Sequence, residues 1–271
     1  MDSACLFQHR GKCVGVQDFK RALETLGVHE GDTLLVHAGL QAFGKLGLGY
    51  NREGLCGAIV DVIKESVGTS GALVMPTFTY AFCKGTTFDR DKSPSEVGTL
   101  SEYFRTEKGV VRSLHPIFSV AAYGAKAQRL TDVDSDSFGP NSFFARLREA
   151  HGKILFMGGA TFANASTFLH HIEQMHAVPY RFMKTFQGEI IDGEKRYETA
   201  ATFFVRPLDG SVENDAAVLE KRLREKKLLN DASVGAALLT AISADDLFRE
   251  GMQLLDEDIE ALLKAPLKKK H

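Results

Sequence analysis

A chain of 271 residues with 44% apolar composition, 33 basic against 35 acidic side chains and no tryptophan has the make-up of a globular protein of one large or two small domains, which excludes disorder and collagen. Its longest uncharged stretches, residues 71–83 and 154–172, are broken by Pro, Gly, Asn or His, so no membrane span is expected. The net charge of −2 makes no electrostatic case for nucleic acid, the lysine run 268–270 reads as a solvated tail, and the short apolar patch between Asp2 and His9 predicts no secretory leader.

Residues 17–26 carry the helical 3.6-residue period and stop at Gly27, a C′ glycine, before a short buried strand at 33–37. A glycine-dense loop (Gly39, Gly44, Gly47, Gly49) leads to Asn51, an N-cap with Glu53 behind it, and a helix to about Val67. Residues 72–75 form a β-rich run ended by Pro76. The polar stretch 77–97 reads as a long excursion of the kind that often carries function. A helix at about 98–106, strands at 110–113 and 117–123, a helix at 141–149 and a buried strand at 153–157 ending at Gly158-Gly159 complete the alternation. Beyond Pro179, residues 184–191 and 195–205 flank Asp192-Gly193 as a hairpin, expected as an appendage to the same sheet. Helices at about 214–226 and 245–264 enclose an apolar run at 236–242 that is a candidate strand.

The expectation is an α/β fold: a central, mostly parallel sheet covered by helices on both faces, with an antiparallel hairpin extension in the C-terminal third. It forms one domain over 1–271, with a core at about 16–180 and an extension at about 181–265. Cys5, Cys13, Cys56 and Cys83 show no Cys-x-x-Cys pair and no regular spacing. That pattern disfavours a disulfide framework or structural zinc and fits a reducing, cytoplasmic setting. Cys83, in the expected loop 79–85, is either a nucleophile or, more ordinarily, an inert thiol.

Chemistry concentrates in residues 164–173. A helix starting at Ser166 or Thr167 makes His170 and Glu173 neighbours one turn apart. A carboxylate bonded to one imidazole nitrogen fixes the tautomer and leaves the other nitrogen as a base near neutral pH. The plainer alternative is a surface His–Glu pair. Read as a metal cluster, His170, His171, Glu173 and His176 lack the His-Glu-x-x-His order, and His176 falls out of phase with His170. In residues 112–119, Pro116 holds His115 extended before a buried strand, placing His115 and Ser119 at a sheet edge, either as ligand contacts or as a satisfied polar pair. The glycine loop matches neither phosphate-binding fingerprint, and Lys45 with the start of the Asn51 helix forms either a loose pyrophosphate cradle or a plain surface loop.

Four segments together, Gly31-Asp32-Thr33-Leu34-Leu35-Val36-His37, Val74-Met75-Pro76-Thr77-Phe78-Thr79, Arg112-Ser113-Leu114-His115-Pro116 and Thr167-x-x-His170-x-x-Glu173, resemble the aminoglycoside 3-N-acetyltransferase family in order and spacing. The resemblance covers roughly residues 23–189. It implies an acetyl-CoA donor, no metal, and a primary amine on a sugar-like acceptor. It also implies that His170 is the catalytic histidine and Glu173 its partner. The family's coenzyme A segments fall on His37 with Ala38 and Gly39, on Thr77, and on Ser113, His115 and Ser119. Thr167 is placed by the resemblance close to the acetyl group, and the hydroxyl of Thr167 or Ser119 is a candidate for holding the oxyanion.

Ala38-Gly39 departs from the serine pair common in the family. The excursion balances Lys84, Arg90 and Lys92 against Asp89, Asp91 and Glu96, whereas a polycationic acceptor favours an acidic cleft. The acceptor expected on that ground is a nucleotide-linked amino sugar of bacterial surface-polysaccharide synthesis, with Phe78, Tyr80 and Phe82 as stacking surface. The alternatives are an aminoglycoside, a metal-dependent hydrolase built on His170, His171 and Glu173, and a non-catalytic coenzyme A- or sugar-binding protein. Homo-oligomerisation is the default expectation.

Overall fold

The computed structural model describes residues 5–267, so Asp2 and the lysine run 268–270 lie outside the described residues. The chain begins with β1 (Cys5–His9), β2 (Lys12–Gly15), α1 (Val16–Thr25), β3 (Thr33–Gly39), β4 (Lys45–Leu46), α2 (Arg52–Val67), β5 (Ala72–Pro76) and β6 (Phe88–Asp89). It continues through α3 (Thr99–Arg105), β7 (Val111–Arg112), β8 (Val120–Gly124), α4 (Ala127–Thr131), α5 (Phe143–Glu149), β9 (Lys153–Gly158), α6 (Phe162–Ala165) and α7 (Phe168–His176). The last elements are β10 (Phe182–Asp192), β11 (Lys195–Val205), α8 (Ala217–Glu225), β12 (Asn230–Val234), β13 (Ala237–Ser243) and α9 (Ala244–Glu257).

Successive side chains of a strand point to opposite faces, and the three buried strands use that period to feed two cores. Leu34, Val36, Leu73, Met75, Leu155 and Met157 join one cluster with Phe19 of α1, Ile59 and Ile63 of α2 and Phe104 of α3. Leu35, Ala72, Val74, Ile154 and Phe156 join the other, with Leu130 of α4, Phe144 of α5, Ile172 of α7, Leu219 of α8 and Leu254 of α9. Local signals agree with these helices. Asn51 accepts a hydrogen bond from Gly54 N at 2.7 Å and so caps α2.

The fold is mixed α/β, and its large sheet has the order β12-β13-β9-β3-β5-β8-β7. Only β9, β3 and β5 run parallel; β13, β8, β7 and β12 pair antiparallel. The expected mostly parallel sheet therefore holds at the centre alone. The flanking pairs β7–β8 and β12–β13 are joined by connections too short for a crossover, which forces hairpins.

The long hairpin β10–β11 is not an appendage of that sheet. The sheet's edges are already taken by β12 and β7, and β10 instead pairs in parallel with β6 of the excursion, Ile190 opposite Phe88. Because Asp192 pairs with Lys195, the turn residues are Gly193 and Glu194, one position later than Asp192-Gly193.

An unanticipated N-terminal hairpin turns at Arg10 and Gly11, both with positive φ. It brings the Cα atoms of Cys5 and Cys13 to 5.3 Å and joins them in a disulfide, against the expectation of unpaired cysteines. Cys56 and Cys83 are free, and burial pushes both thiols up, away from the reactive thiolate. Among the described residues no helix is long and apolar enough to cross a membrane.

Candidate active site

The site is built around α7, which begins shortly after the end of the central strand β9. Phe168, Leu169, His171 and Ile172 are buried on this helix. Gly251 of α9 permits the close approach on that side, since a Cβ there would lie 2.7 Å from Ile172 Cδ1. The helix closes at Ala177, which takes a left-handed φ of 59° one residue after His176. That turn, followed by Pro179, sends Tyr180 and Arg181 back past Glu173.

His170 Nδ1 lies 2.7 Å from Glu173 Oε2, with the carboxylate side chain fully buried and the imidazole 27% exposed. Glu173 is otherwise engaged by Asn214 Nδ2 at 2.7 Å and Tyr180 OH at 3.2 Å, both donating to Oε1, and by Arg181 Nε 2.9 Å from Oε2. Burial pushes this carboxyl up. The hydrogen bond and charge of His170, with Arg181 and the Asn214 amide, outweigh it and hold Glu173 below the usual carboxylate range. An ionised Glu173 accepts from Nδ1, so Nε2 of His170 carries the free lone pair.

Two cavities border the start of α7, one reaching Thr167 and the other His170. One, of about 390 Å³, is lined by His37, Ala38, Pro76, Phe78, Tyr80, Glu96, Asn164 and Thr167 among others. The second, of about 560 Å³, is lined by His170, Arg181, Phe203, Arg206, Leu208, Glu213 and Asn214 among others. Thr167 occupies the N-cap position of α7 without a side-chain cap and lines the first cavity. His37 ends up buried at 7% exposure, stacked on Phe156, with Nε2 unpartnered. Burial lowers it to about 4, so the ring is neutral at physiological pH. A larger cavity of about 700 Å³ lies between the starts of α2 and α3 and shares Glu96 with the first.

Other expected residues lie elsewhere. Thr77 and Ser119 are fully buried, 3.0 Å apart through their hydroxyls, and both are bonded by Arg112. Ser113 Oγ accepts from Val120 N, and His115 Nδ1 accepts from Ile117 N and Phe118 N. These groups organise the β7–β8 turn and line neither cavity at α7. Lys45 is exposed on β4. Phe78 and Tyr80 line the His37 cavity, whereas Phe82 is buried against Gly188. Gly39 is pressed onto β9, where a Cβ would lie 2.7 Å from Gly159 Cα and Ala160 N, so the serine common at this place has no room.

The two imidazoles near His170 diverge from it. His171 Nδ1 is 2.6 Å from Phe138 O, inside an aromatic surround, and His176 Nε2 is 3.0 Å from Asp256. Among the described residues no group of three or more His, Cys, Asp or Glu is placed to hold a metal. Tyr180, Arg181 and Asn214 were not anticipated. Arg181 and Asn214 come from outside α7 and reach Glu173 only through the tertiary fold, and only the Pro179 that precedes them marked the turn.

Comparison with known proteins places these features. The profile of the family described as aminoglycoside 3-N-acetyltransferase matches residues 35–256. Aminoglycoside N(3)-acetyltransferase VII of Streptomyces paromomycinus is 30% identical over 286 aligned positions, covering 96% of this chain and 97% of its own. The crystal structure of a mutant of aminoglycoside acetyltransferase AAC(3)-IVa in complex with a gentamicin superposes with a TM-score of 0.77 at 26% identity, covering 96% of this chain and 95% of that one. AAC-IIIb in its binary complex with CoASH gives a TM-score of 0.78 at 22% identity, covering 93% and 98%, and supports the fold.

These relatives overturn the expected nucleotide-linked acceptor. The charge argument behind it addressed the wrong surface. Arg90 pairs with Asp192 at 2.7 Å, Lys92 lies 3.6 Å from Asp89, and Glu96 accepts from Thr79 Oγ1 and Tyr80 N, so these charges of the excursion are engaged within the fold. The cavity beside His170 is built from residues 203–214 instead.

Proposed function

The chain belongs to the aminoglycoside 3-N-acetyltransferase family and is an acetyl-CoA-dependent N-acetyltransferase, and on that premise we propose that it acetylates the 3-amino group of an aminoglycoside with His170 as general base. The observation that carries the reading is the His170–Glu173 pair, whose imidazole lines one cavity while Thr167, three residues earlier, lines another. A direct transfer needs a donor on one side of a base and an acceptor on the other. In this reading the thioester end of acetyl-CoA enters past His37, Ala38 and Thr167. The unpartnered, neutral Nε2 of His37 suits an amide or carbonyl of such a donor, since a buried polar atom without a partner is costly. The acceptor occupies the cavity beside His170, whose lining carries Asn214 and the Glu213 carboxylate, the latter paired with Lys264 at 2.9 Å.

His170 Nε2 takes a proton from the amine as nitrogen attacks the thioester carbonyl. Glu173 balances the charge that appears on the ring, and the imidazolium returns the proton to the sulfur as the C–S bond breaks. In this reading the Thr167 hydroxyl holds the developing oxyanion, an interaction typically worth about 3 kcal/mol in such sites. We read residues 1–271 as one α/β domain, because the extension supplies both sheet strands and Asn214 of the site. The donor fits a cytoplasmic place of action, and a homo-oligomer remains the default expectation.

The test is thiol release from acetyl-CoA with gentamicin as acceptor, with the product mapped by NMR. Acetylation at the 3-amino group is expected. Modification at another amine, or no turnover across an aminoglycoside panel, overturns the reading.

A further inference from the structure

One oxygen of Glu173 faces both an imidazole and a guanidinium: His170 Nδ1 and Arg181 Nε lie 2.7 and 2.9 Å from Oε2. The Arg181 contact is one of charge, because its Nε–H is not aimed at the oxygen. The guanidinium is held instead by Phe204 O at 3.2 Å and by Asn214 Oδ1, with its side chain only 2% exposed. Asn214 in turn donates to Glu173 Oε1, so one amide fixes the carboxylate and the guanidinium together. Arg181 is thus a buried positive charge anchored by β11 and by the segment before α8, and its position does not depend on the imidazole.

We propose that Arg181 is a positioning residue that balances the Glu173 charge and so lowers the carboxylate's bias towards the imidazolium of His170. This deepens the reading of His170 as the base and rests on it. A buried carboxylate whose sole partner is an imidazole strongly favours the imidazolium, in which Nε2 has no lone pair. A guanidinium on the same oxygen removes much of that bias, while leaving enough negative charge to stabilise the imidazolium formed during transfer.

The other charged groups around α7 do not substitute for it. Arg206 and Glu213 line the acceptor cavity, Glu213 being paired with Lys264 at 2.9 Å. Asp136 is held by the Gln174 amide, Asp256 by His176, and Arg148 lies over Phe248 near Asp245. Asp258 acts on Tyr180, a neutral donor to Glu173 whose hydroxyl burial pushes up.

Two variants of the full chain test this, Arg181→Gln, which removes the cation, and Asn214→Asp, which adds a second carboxylate while keeping it. Histidine-15N NMR follows the imidazole titration directly, and kcat/KM for gentamicin is measured across pH. In both variants the His170 titration midpoint and the acid limb of kcat/KM are expected to rise by about one pH unit, giving roughly tenfold lower kcat/KM below that limb, whatever the height of the plateau at high pH. Arg181→Lys restores most of the parental profile. An unchanged or lowered midpoint in the variants that fold overturns the proposal. A raised midpoint with an unmoved acid limb upholds the role of Arg181 and removes His170 as the base, so the two failures are distinguishable. Should Arg181→Gln fail to fold, Arg181→Met, which removes the cation with an apolar side chain, carries the test.

Discussion

His170 and Glu173 face each other across one turn of α7 at 2.7 Å, the carboxylate sealed from solvent and the imidazole open to a cavity. The asymmetry separates the consequences of changing each. His170→Ala leaves the core intact and is expected to lower kcat by roughly 10²–10⁴-fold with little change in melting temperature. Glu173→Gln strands Arg181 as a buried charge, with about 3–5 kcal/mol of destabilisation in addition to lost turnover. Thiol-release kinetics and thermal melts check both; unchanged kcat in folded His170→Ala removes the base assignment.

Thr77 and Ser119 share the buried Arg112, which also donates to Thr77 O at 2.8 Å and to the carbonyls of Arg90 and Ser93. Ser119→Ala is therefore expected to change kcat less than Thr167→Ala, since Thr167 lines the His37 cavity. Arg112→Met, which leaves several buried acceptors without a donor, is expected to destabilise by about 3 kcal/mol or more, read from urea unfolding. A larger kcat loss for Ser119→Ala than for Thr167→Ala would reverse this ordering.

Gly39→Ser restores the hydroxyl common in the family but forces a Cβ against the backbone of Gly159 and Ala160. The expected result is about 1–3 kcal/mol of destabilisation and a raised KM for acetyl-CoA, as β3 and β9 part beside His37. A variant as stable as the parent would show that the strand ends have room to separate.

Burial lowers His37, His115 and His171 to about 4 each. Their unfolded counterparts titrate near 6.5, so between about pH 6.5 and 4 the unfolded chain binds protons that the folded one refuses, and stability falls as pH falls through that window. Glu173, held below the usual carboxylate range, adds a further loss at the acid end, where its folded form finally protonates. Urea unfolding at pH 7, 6 and 5 should give steadily lower midpoints; a flat series would contradict the burial of these imidazoles.

Local patterns carried much of this molecule. The α1, α2 and α5 helices, the strands β3, β5 and β9 and the His170–Glu173 spacing are all written in short-range periodicity and caps, because a helix or buried strand reports its own faces. The i,i+3 pair needed only one helical turn to be correct. What failed to show locally depended on pairing at a distance. The antiparallel flanks of the sheet, the partnership of β10 with β6, and the Cys5–Cys13 bridge all turn on which strand lies beside which.

The sequence by itself determined the α/β alternation, the dyad and the family resemblance, since these rest on residue order and local geometry. Tertiary structure alone decided that Arg181, Tyr180 and Asn214 enclose Glu173, that Thr77 and Ser119 turn inward to Arg112, and that Arg90 of the excursion pairs with Asp192 of β10. Burial and through-space charge set the behaviour of a titratable group, and both are properties of what the folded chain brings near it rather than of its neighbours in sequence.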